Sequence, residues 1–380
     1  MINKNRLIRL TQRLLRFDSV NPPGNELQVA RFIAKDLRSL GLEVKTYSFQ
    51  KHRPNVIATL KGTWPRWKAA QEAILITPHI DTVPFGTGWK FDPLGGEIYQ
   101  GRIYGRGASD DKGNAAVGME AIRSLVEDGV RLKRDVIFAA TVDEETGSHK
   151  GIRPLLAKGI LRPQVALITD SEEFDCVIAQ KGLLHCRVQI FGKKAHGAYN
   201  WLGVNAIEAA ARVINRLQKH QFKFKKHPLL VPPTKNIGTI QGGDKVNIVA
   251  DFCEFSLDIR FMPGMTAPRV LQEIKGVIAR ETKNFKVMID DTQKPYELDP
   301  QQPFVKTYLD VCRHMGFKAN LKGSQGATVI TFFQDYKIPA FSTGWGAHGV
   351  VHANDEYVSI KTIYNGACAL EAYLKAYDEM

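Results

Sequence analysis

The sequence predicts an α/β fold, a mainly parallel sheet flanked by helices, into which a smaller domain of different pattern is inserted. Short apolar runs at residues 55–60, 72–77, 135–141 and 164–169 are typical of strands buried on both faces, as in parallel sheets. Residues 252–261 instead alternate strictly between apolar and polar side chains. A chain of 380 residues also exceeds one ordinary core, so two domains are expected.

The elements of the first domain follow from the spacing of apolar residues. Two amphipathic helices open the chain, and Gly41 ends the second. Their apolar positions are Leu7, Leu10, Leu14 and Phe17, then Val29, Ile33, Leu37 and Leu40. The four apolar runs follow as strands, and a further helix is predicted at about residues 113–128.

A different order of elements begins after Lys181. A strand at 182–192 precedes a helix that starts with a capping box of Asn205 and Glu208 and continues to Gln218. The remaining elements are strands at 236–240 and 252–261, a helix at 267–282 and a strand at 285–289. The order βαββαβ is that of a ferredoxin-like unit. We therefore place an inserted domain at 181–292 and a discontinuous first domain at 1–180 and 293–380.

Composition narrows the class of protein. The chain is 44% hydrophobic and 24% charged, which is typical of a globular protein. Nowhere do about 18 apolar residues run together, and the first residues lack the apolar stretch of a secretory signal. The five cysteines are scattered and never in CxxC spacing. We expect a cytoplasmic protein with no membrane partner.

The chain is basic, with 52 Lys and Arg against 39 Asp and Glu. The densest basic cluster, residues 219–227, interleaves Phe222 and Phe224 with lysines, as a surface that binds single-stranded nucleic acid can. A nucleic-acid-binding function would give strongly salt-dependent binding that survives metal removal. A solvated helix end and loop explains the cluster better, because no nucleic-acid-binding module accompanies it. We therefore expect no nucleic-acid partner.

Ionisable side chains follow three of the predicted strands of the first domain. These side chains are His79 and Asp81, Glu144 and Glu145, and Asp170. Asp110 and Asp111 come from a glycine-rich loop that precedes the predicted helix. Each has an ordinary structural explanation by itself, such as a helix cap or a solvated surface. Together at the carboxyl edge of one sheet, however, so many carboxylates would repel one another unless a cation neutralised them. Zinc accepts both histidine nitrogen and carboxylate oxygen.

Six short motifs resemble, in order and spacing, those of the zinc aminoacylase and carboxypeptidase family that contains acetylornithine deacetylase, succinyl-diaminopimelate desuccinylase and related di- and tripeptidases. The motifs are HIDTVP (79–84), GRGASDDKG (105–113), TVDEETG (141–147), ITDSEE (168–173), GKKAHGAY (192–199) and HANDEYV (352–358). The resemblance spans nearly the whole chain. It implies a hydrolase with two Zn(II) ions per chain, which cobalt or manganese can replace, that cleaves an amide bond of a small N-acyl amino acid or short peptide.

The resemblance also assigns metal ligands. One ion would be held by His79, Asp110 and Asp170, and the other by Asp110, Glu145 and His352, so that Asp110 bridges the two. The nearby His348 is expected to be a loop residue, because HANDE is what matches the family pattern. In the family the peptide bond after the bridging aspartate is commonly cis.

The remaining roles implied by the resemblance concern catalysis and the substrate. Asp81 would orient His79, and Glu144 would act as the general base on the water shared by the metals. His196 would donate to the developing oxyanion. Asn247 and Arg260 occupy positions similar to family residues that bind the carboxylate end of the substrate. The inserted domain at 181–292 would serve as a lid and as the dimer interface, and the first domain as the metal-binding catalytic domain.

Two departures from the family pattern affect specificity. Position 170 is Asp where desuccinylases usually carry Glu, and aspartate is more typical of the peptidase branches. Residues 323–333 lack the Gly-Gly-Thr-Asp type of motif usual before the last strands. A non-catalytic binding member of the same fold is the alternative. Such a protein would be expected to lose a ligand or the base, whereas this sequence keeps all five ligands and Glu144.

Overall fold

A computed structural model describes all 380 residues, which form two compact units. The first unit comprises Met1–Ile178, Leu298–Lys322 and Phe332–Met380, and the second comprises Ala179–Glu297 and Gly323–Thr331. The chain therefore leaves the first unit twice, for one long and one short segment of the second unit, and returns to it each time.

The first part of the chain alternates helices with short strands. Its elements are α1 (Lys4–Leu15), α2 (Leu27–Ser39), β1 (Glu43–Ser48), β2 (Pro54–Leu60), α3 (Arg66–Gln71), β3 (Ile74–Thr77), β4 (Glu97–Tyr99), β5 (Arg102–Tyr104), α4 (Lys112–Glu127), β6 (Val136–Ala140), α5 (Ile152–Ala157) and β7 (Val165–Ile168). The predicted elements, α1, α2, β2, β3, α4, β6 and β7, lie within a few residues of the positions that the apolar spacing indicates, whereas β1, α3, β4, β5 and α5 were not predicted.

The later elements complete both units. They are β8 (Cys176–Gln180), β9 (Gly182–Phe191), α6 (Ala206–Lys219), β10 (Thr234–Gly242), β11 (Phe252–Phe261), α7 (Ala267–Ile278), β12 (Phe285–Gln293), β13 (Tyr296–Glu297), α8 (Pro303–His314), β14 (Leu321–Ser324), α9 (Ile330–Phe333), β15 (Ala340–Ser342), β16 (Tyr357–Ser359) and α10 (Ile360–Asp378). None of the helices is both long and apolar enough to cross a membrane.

The main sheet of the first unit has its parallel strands at the centre. The strand order runs β1, β2, β6, β3, β7, β15, β8. β3 pairs in parallel with β6 and β7, and β15 pairs in parallel with β7. β1 and β2 on one side and β8 on the other pair antiparallel. The predicted α/β class with a mainly parallel sheet is confirmed, and the parallel core is what aligns the carboxyl ends of β3, β6 and β7.

Close packing of helix on sheet explains why the central strands are continuously apolar. All four residues of β3 and of β7 are buried, as expected for strands covered on both faces. α4 packs against α1 and α10 and is buried along most of its length. A Cβ atom at Gly118 would lie 2.7 Å from the ring of Phe138, so glycine permits this close approach of helix and strand.

The second unit contains a four-stranded antiparallel sheet in the order β10, β11, β9, β12. Its core side chains include every alternate residue of β11 and the inward faces of α6 and α7. Asn205 caps α6, since its side chain accepts from the backbone N–H groups of Ile207 and Glu208. The predicted ferredoxin-like arrangement is therefore confirmed. α7 ends at Ile278 rather than 282, because Glu281 donates its N–H to the carbonyl of Ile278 in a tighter turn.

Candidate metal centre

The parallel centre of the sheet brings the predicted ionisable residues to one edge. His79 follows β3 by two residues and forms a parallel bridge with Thr141, just beyond β6. Glu144 and Glu145 form a 3-10 turn (Glu144–Thr146) after the same strand. Asp170 follows β7. Neighbouring parallel strands end side by side, so the side chains that follow them converge.

His79 is held with one ring nitrogen directed at Asp110. Its Nδ1 donates to the backbone carbonyl oxygen of Asp81 at 3.0 Å, and its Nε2 lies 2.8 Å from Asp110 Oδ1. The backbone N–H of His79 donates to Asp111 Oδ2 at 3.0 Å. Because Nδ1 donates to a carbonyl oxygen, Nε2 is the ring nitrogen that can bind a cation. Burial opposes a second proton, but the contacts with Asp110 and Asp81 raise the pKa of His79 well above its usual value, so a cation would displace a proton from Nε2.

Asp81 is fully buried and its carboxylate does more than face His79. Oδ1 accepts the backbone N–H of Glu144 at 3.1 Å and lies 3.5 Å from His79 Nδ1. Oδ2 accepts the backbone N–H of Glu145 at 3.2 Å and the side-chain amide of Asn21 at 2.9 Å. Burial opposes ionisation, but the contacts with His79 and Asn21 keep the pKa of Asp81 below its ordinary value. The carboxylate of Asp81 thus holds the glutamate pair and places a negative charge beside His79, whose ring is held by the Asp81 backbone carbonyl.

Asp110 lies between two histidines. Its Oδ1 faces His79, and its Oδ2 lies 3.0 Å from Nε2 of His352. His352 Nε2 is also 3.3 Å from Oε1 of Glu145. Donor atoms of His79, Asp110 and Glu145 all lie within 4.8 Å of one another, close enough to share a metal ion. The Asp110–Asp111 peptide bond is cis.

The remaining carboxylates crowd the same place. Burial, together with repulsion from Asp110, raises the pKa of Asp170 to about 7. Burial and the nearby Asp170 and Glu145 raise the pKa of Glu144 well above its usual range. Hydrogen bonds to Asp110 and Glu145 raise the pKa of His352 to about 10. The two carboxyl groups retain protons because they are buried beside other negative charges, and His352 retains one because carboxylates surround it. A set of imidazole nitrogens and carboxylate oxygens fits a divalent cation such as zinc.

A buried ion-pair network supports the turn that carries the glutamates, and sequence patterns missed it. Arg53 donates to Asp143 Oδ1 at 3.0 Å and also pairs with Glu26, and all three side chains are buried. Asp143 adopts a left-handed backbone conformation, and its carboxylate accepts the backbone N–H of Lys150 at 3.0 Å. Asn21 joins this network through Asp81. Only the DEE motif marked this region in the sequence, since the partners come from distant segments.

The predicted oxyanion donor and substrate-binding residues belong to the second unit. His196 is exposed, and its Nδ1 accepts the backbone N–H of Ala198 at 3.0 Å, so its Nε2 carries the donor hydrogen. The carbonyl of Asn247 accepts the N–H of Gly197 at 2.8 Å, which makes His196 and Asn247 neighbours. Arg260 lies on β11, half-buried, with its guanidinium paired to Asp258 at 2.9 Å.

His348 occupies an exposed turn of the first unit, as expected for a loop residue. Its Nδ1 hydrogen-bonds to the carboxylate of Glu172, which also accepts the backbone N–H of Gly349 at 3.4 Å. Glu172 follows Asp170 by two residues, so this contact ties the 348–349 turn to the loop after β7. Sequence reasoning had assigned no role to Glu172.

Solved structures share this fold over the full chain. An aminopeptidase PepT from Bacillus cereus is 24% identical, with a TM-score of 0.83 and 99% of each chain covered. A tripeptidase from Staphylococcus aureus is 22% identical, with a TM-score of 0.82 and 100% of each chain covered. A dinuclear metal-binding peptidase from Bacillus subtilis is 17% identical, with a TM-score of 0.77, covering 99% of this chain and 98% of the other. At these identities the likeness establishes the fold.

A family model provides the assignment that structural likeness alone does not. The model described as "Peptidase family M20/M25/M40" matches residues 75–376. The matched segment begins in β3 and contains His79, the glycine-rich loop and the HANDE motif. The match covers most of the chain, and the chain therefore belongs to peptidase family M20/M25/M40, a family of metal-dependent hydrolases.

Proposed function

We propose that the first unit is a two-metal hydrolase that cleaves an amide bond of a short peptide or a small N-acyl amino acid. The observation that supports this most directly is the position of Asp110, whose two carboxylate oxygens face His79 and His352 at 2.8 and 3.0 Å. A carboxylate so placed can bridge two cations, and zinc is the expected metal. His79 and Asp170 would complete one site, and Glu145 and His352 the other.

The protein's own groups would then divide the chemistry. Bound divalent cations would supply positive charge that polarises the amide carbonyl and lowers the pKa of water. Glu144 would act as general base: its carboxylate would take a proton from water, hold it, and then pass it to the leaving nitrogen. Its position is set by the hydrogen bond between its backbone N–H and Asp81 Oδ1. Asp81 therefore acts by positioning, through both Glu144 and His79.

The second unit is proposed to contribute substrate contacts. His196 has a suitable tautomer for an oxyanion donor, because its Nδ1 accepts from Ala198 and leaves the Nε2–H to donate. Asn247 and Arg260 would bind the carboxylate end of the substrate. We also propose that residues 181–292 serve as a lid and as the dimer interface. The excess of Lys and Arg over Asp and Glu favours a substrate that bears a carboxylate.

The first test combines metal analysis with a substrate panel. We expect about two zinc equivalents per chain by elemental analysis, and chelation should abolish hydrolysis of N-acyl amino acids or dipeptides. The panel should include N-acetylornithine and N-succinyl-diaminopimelate, because the deacetylase and desuccinylase activities remain proposals. Cobalt and manganese should each restore activity after chelation.

The Glu144→Gln variant tests the proposed base. It should keep both metals while kcat falls about 10²–10⁴-fold, the usual contribution of a general base. Glu127→Gln, on the exposed end of α4, is the matched control and should retain full activity. A Glu144→Gln enzyme that binds two metals and works at the wild-type rate would overturn the assignment. A wild-type protein that binds metal yet cleaves nothing in the panel would favour the binding-only alternative.

A homodimer formed through the second unit is also proposed. This unit exposes large apolar side chains on neighbouring segments, namely Tyr199, Trp201, Leu202, Val204 and Val246. Such a patch is typical of an interface between protein chains. Sedimentation velocity should show a dimer, and Trp201→Glu should shift it to monomer. A cytoplasmic location stays a prediction that cell fractionation would test.

A further inference from the structure

The segment that carries His352 has no regular secondary structure to hold it. Residues 347–356 contain only turns and bends, and His352 itself has a left-handed backbone with φ of +63°. Its side chain is 52% exposed. A loop with this little internal support depends on contacts from outside for its position. Glu172 holds one end of the loop and the Lys90 N–H group donates to Asp355. At His352 itself the main chain is held by Arg106, which donates to the carbonyl oxygens of Ala353 at 3.0 Å and His352 at 3.4 Å.

The backbone of Asp110 is held by Glu356, the ion-pair partner of Arg106. Glu356 Oε1 accepts the N–H groups of Ser109 at 2.9 Å and Asp110 at 3.1 Å. Its Oε2 accepts from Arg106 Nη1 at 2.7 Å. Both side chains are almost completely buried. The Arg106–Glu356 ion pair therefore contacts the main chain of both loops, the one that carries Asp110 and the one that carries His352. The side chains of Asp110 and His352 approach each other to 3.0 Å.

We propose that Arg106 and Glu356 are positioning residues that set the geometry of the metal position shared by Asp110 and His352. This inference rests on the proposed metal centre. Charge-assisted hydrogen bonds in a buried site are short and directional, so they fix the two loops more firmly than neutral bonds would. The guanidinium also lies over the ring of Trp89, 5.0 Å from its centre, which limits its movement.

The chemistry of the pair is specific to these two side chains. A lysine at position 106 would keep the positive charge but has one nitrogen, so it cannot reach Glu356 and both loop carbonyls at once. A glutamine at position 356 would keep the shape of the side chain. Its NH₂ group, however, would face other donors, either the N–H groups of Ser109 and Asp110 or the guanidinium of Arg106. Arg106→Lys therefore loosens mainly the His352 loop, and Glu356→Gln loosens mainly the Asp110 loop.

The test measures binding of Co²⁺ to chelator-treated protein by its visible absorption and by competition with a coloured chelator. Wild type should bind two ions. Arg106→Lys should weaken one binding step by about 10–100-fold, the usual cost of disturbing groups behind metal ligands. The other step should stay within about threefold, because His79 and Asp170 lie on separate strand ends.

A matched control separates positioning from general structural support. Asp378 is another buried carboxylate that accepts two backbone N–H groups, those of Lys133 at 2.7 Å and Arg134 at 2.9 Å. These residues precede β6, at the end opposite the site. Asp378→Asn should lower thermal stability and leave both Co²⁺ binding steps unchanged.

The outcomes are distinguishable. If wild type binds no Co²⁺, the metal centre itself is wrong and this inference falls with it. If wild type binds two ions and both variants bind them with wild-type affinity, only the positioning role is overturned. Equal loss in Asp378→Asn would also overturn it. Circular dichroism of the metal-free proteins verifies folding, and if one variant fails to fold the other decides.

Discussion

Replacing Asp81 by asparagine tests the most connected group of the site. The carboxylate accepts three hydrogen bonds, from the backbone N–H groups of Glu144 and Glu145 and from the amide of Asn21, and it lies near the ring of His79. Asparagine keeps the shape of the side chain but replaces one acceptor oxygen with an NH₂ group. Every one of these neighbours presents a donor, so the new NH₂ group finds no acceptor in either orientation.

The expected cost can be worked out from these contacts. With the amide nitrogen in the place of Oδ1, the bond to Glu144 is lost, and with it in the place of Oδ2, the bonds to Glu145 and Asn21 are lost. Hydrogen bonds to a charged group contribute about 1.5–3 kcal/mol each. We expect the free energy of unfolding to fall by about 2–4 kcal/mol. Because domains are typically stable by about 5–15 kcal/mol, the variant should remain folded.

Urea unfolding at 25 °C with chelator present gives the free energy of unfolding without any contribution from bound metal. Metal affinity is then measured on the same protein and should fall about 10–100-fold, since the glutamate turn loses a hydrogen bond and His79 loses the negative charge beside its Nδ1. Asp36→Asn is the matched control. Asp36 pairs with Arg123 at 2.8 Å, but both side chains are partly exposed, so its loss should cost less than about 1 kcal/mol.

The reasoning would be refuted by an Asp81→Asn protein whose unfolding free energy and metal affinity both match wild type. A loss of stability without loss of metal affinity would show that Asp81 supports the fold alone. In that case the side chain would have no part in holding His79 or Glu144 for a metal.

The remaining predictions concern proton release and glycine packing. The pKa values of Asp170, about 7, and His352, about 10, mean that both hold protons in metal-free protein at low pH. Metal binding should therefore release more protons at pH 6 than at pH 8, because Asp170 has already lost its proton at the higher pH, as calorimetry in buffers of different ionisation enthalpy would measure. Affinity should rise more steeply with pH below 7 than above it, and a pH-independent release would contradict the assigned ligands. Gly113→Ala should destabilise the protein by about 1–3 kcal/mol in chemical denaturation, because its Cβ would overlap the carbonyl oxygen of Ala108. Gly276→Ala, in α7 with open space around it, should instead stabilise by about 0.5–1 kcal/mol, and equal effects of the two substitutions would refute the packing argument.

Local pattern was sufficient for the strands and helices that carry the site and for part of the site itself. The apolar runs became β2, β3, β6 and β7, and the strict alternation of 252–261 became β11 with its odd-numbered residues buried. Because parallel strands end together, the residues after β3, β6 and β7 could be expected to meet. Donor atoms of His79, after β3, and Glu145, after β6, lie within 4.8 Å of one another, in agreement with that expectation.

Contacts between distant segments could not be read in this way. The pairing of Asn21 with Asp81 spans 60 residues, and that of Arg106 with Glu356 spans 250. No periodicity links such residues, because their proximity depends on the path of the whole chain and on which buried polar groups need partners.

The sequence by itself therefore determined the α/β class, the inserted ferredoxin-like order and the strand ends where ionisable residues lie. These features depend on interactions within a few residues and on the burial of apolar side chains, which a linear pattern records. Only the tertiary structure decided how Asp110 divides its oxygens between His79 and His352, and which buried charges hold those loops in place. Such arrangements form because buried charges and hydrogen-bonding groups must find partners in the folded protein. Those partners come from distant parts of the chain, so no local sequence pattern indicates them.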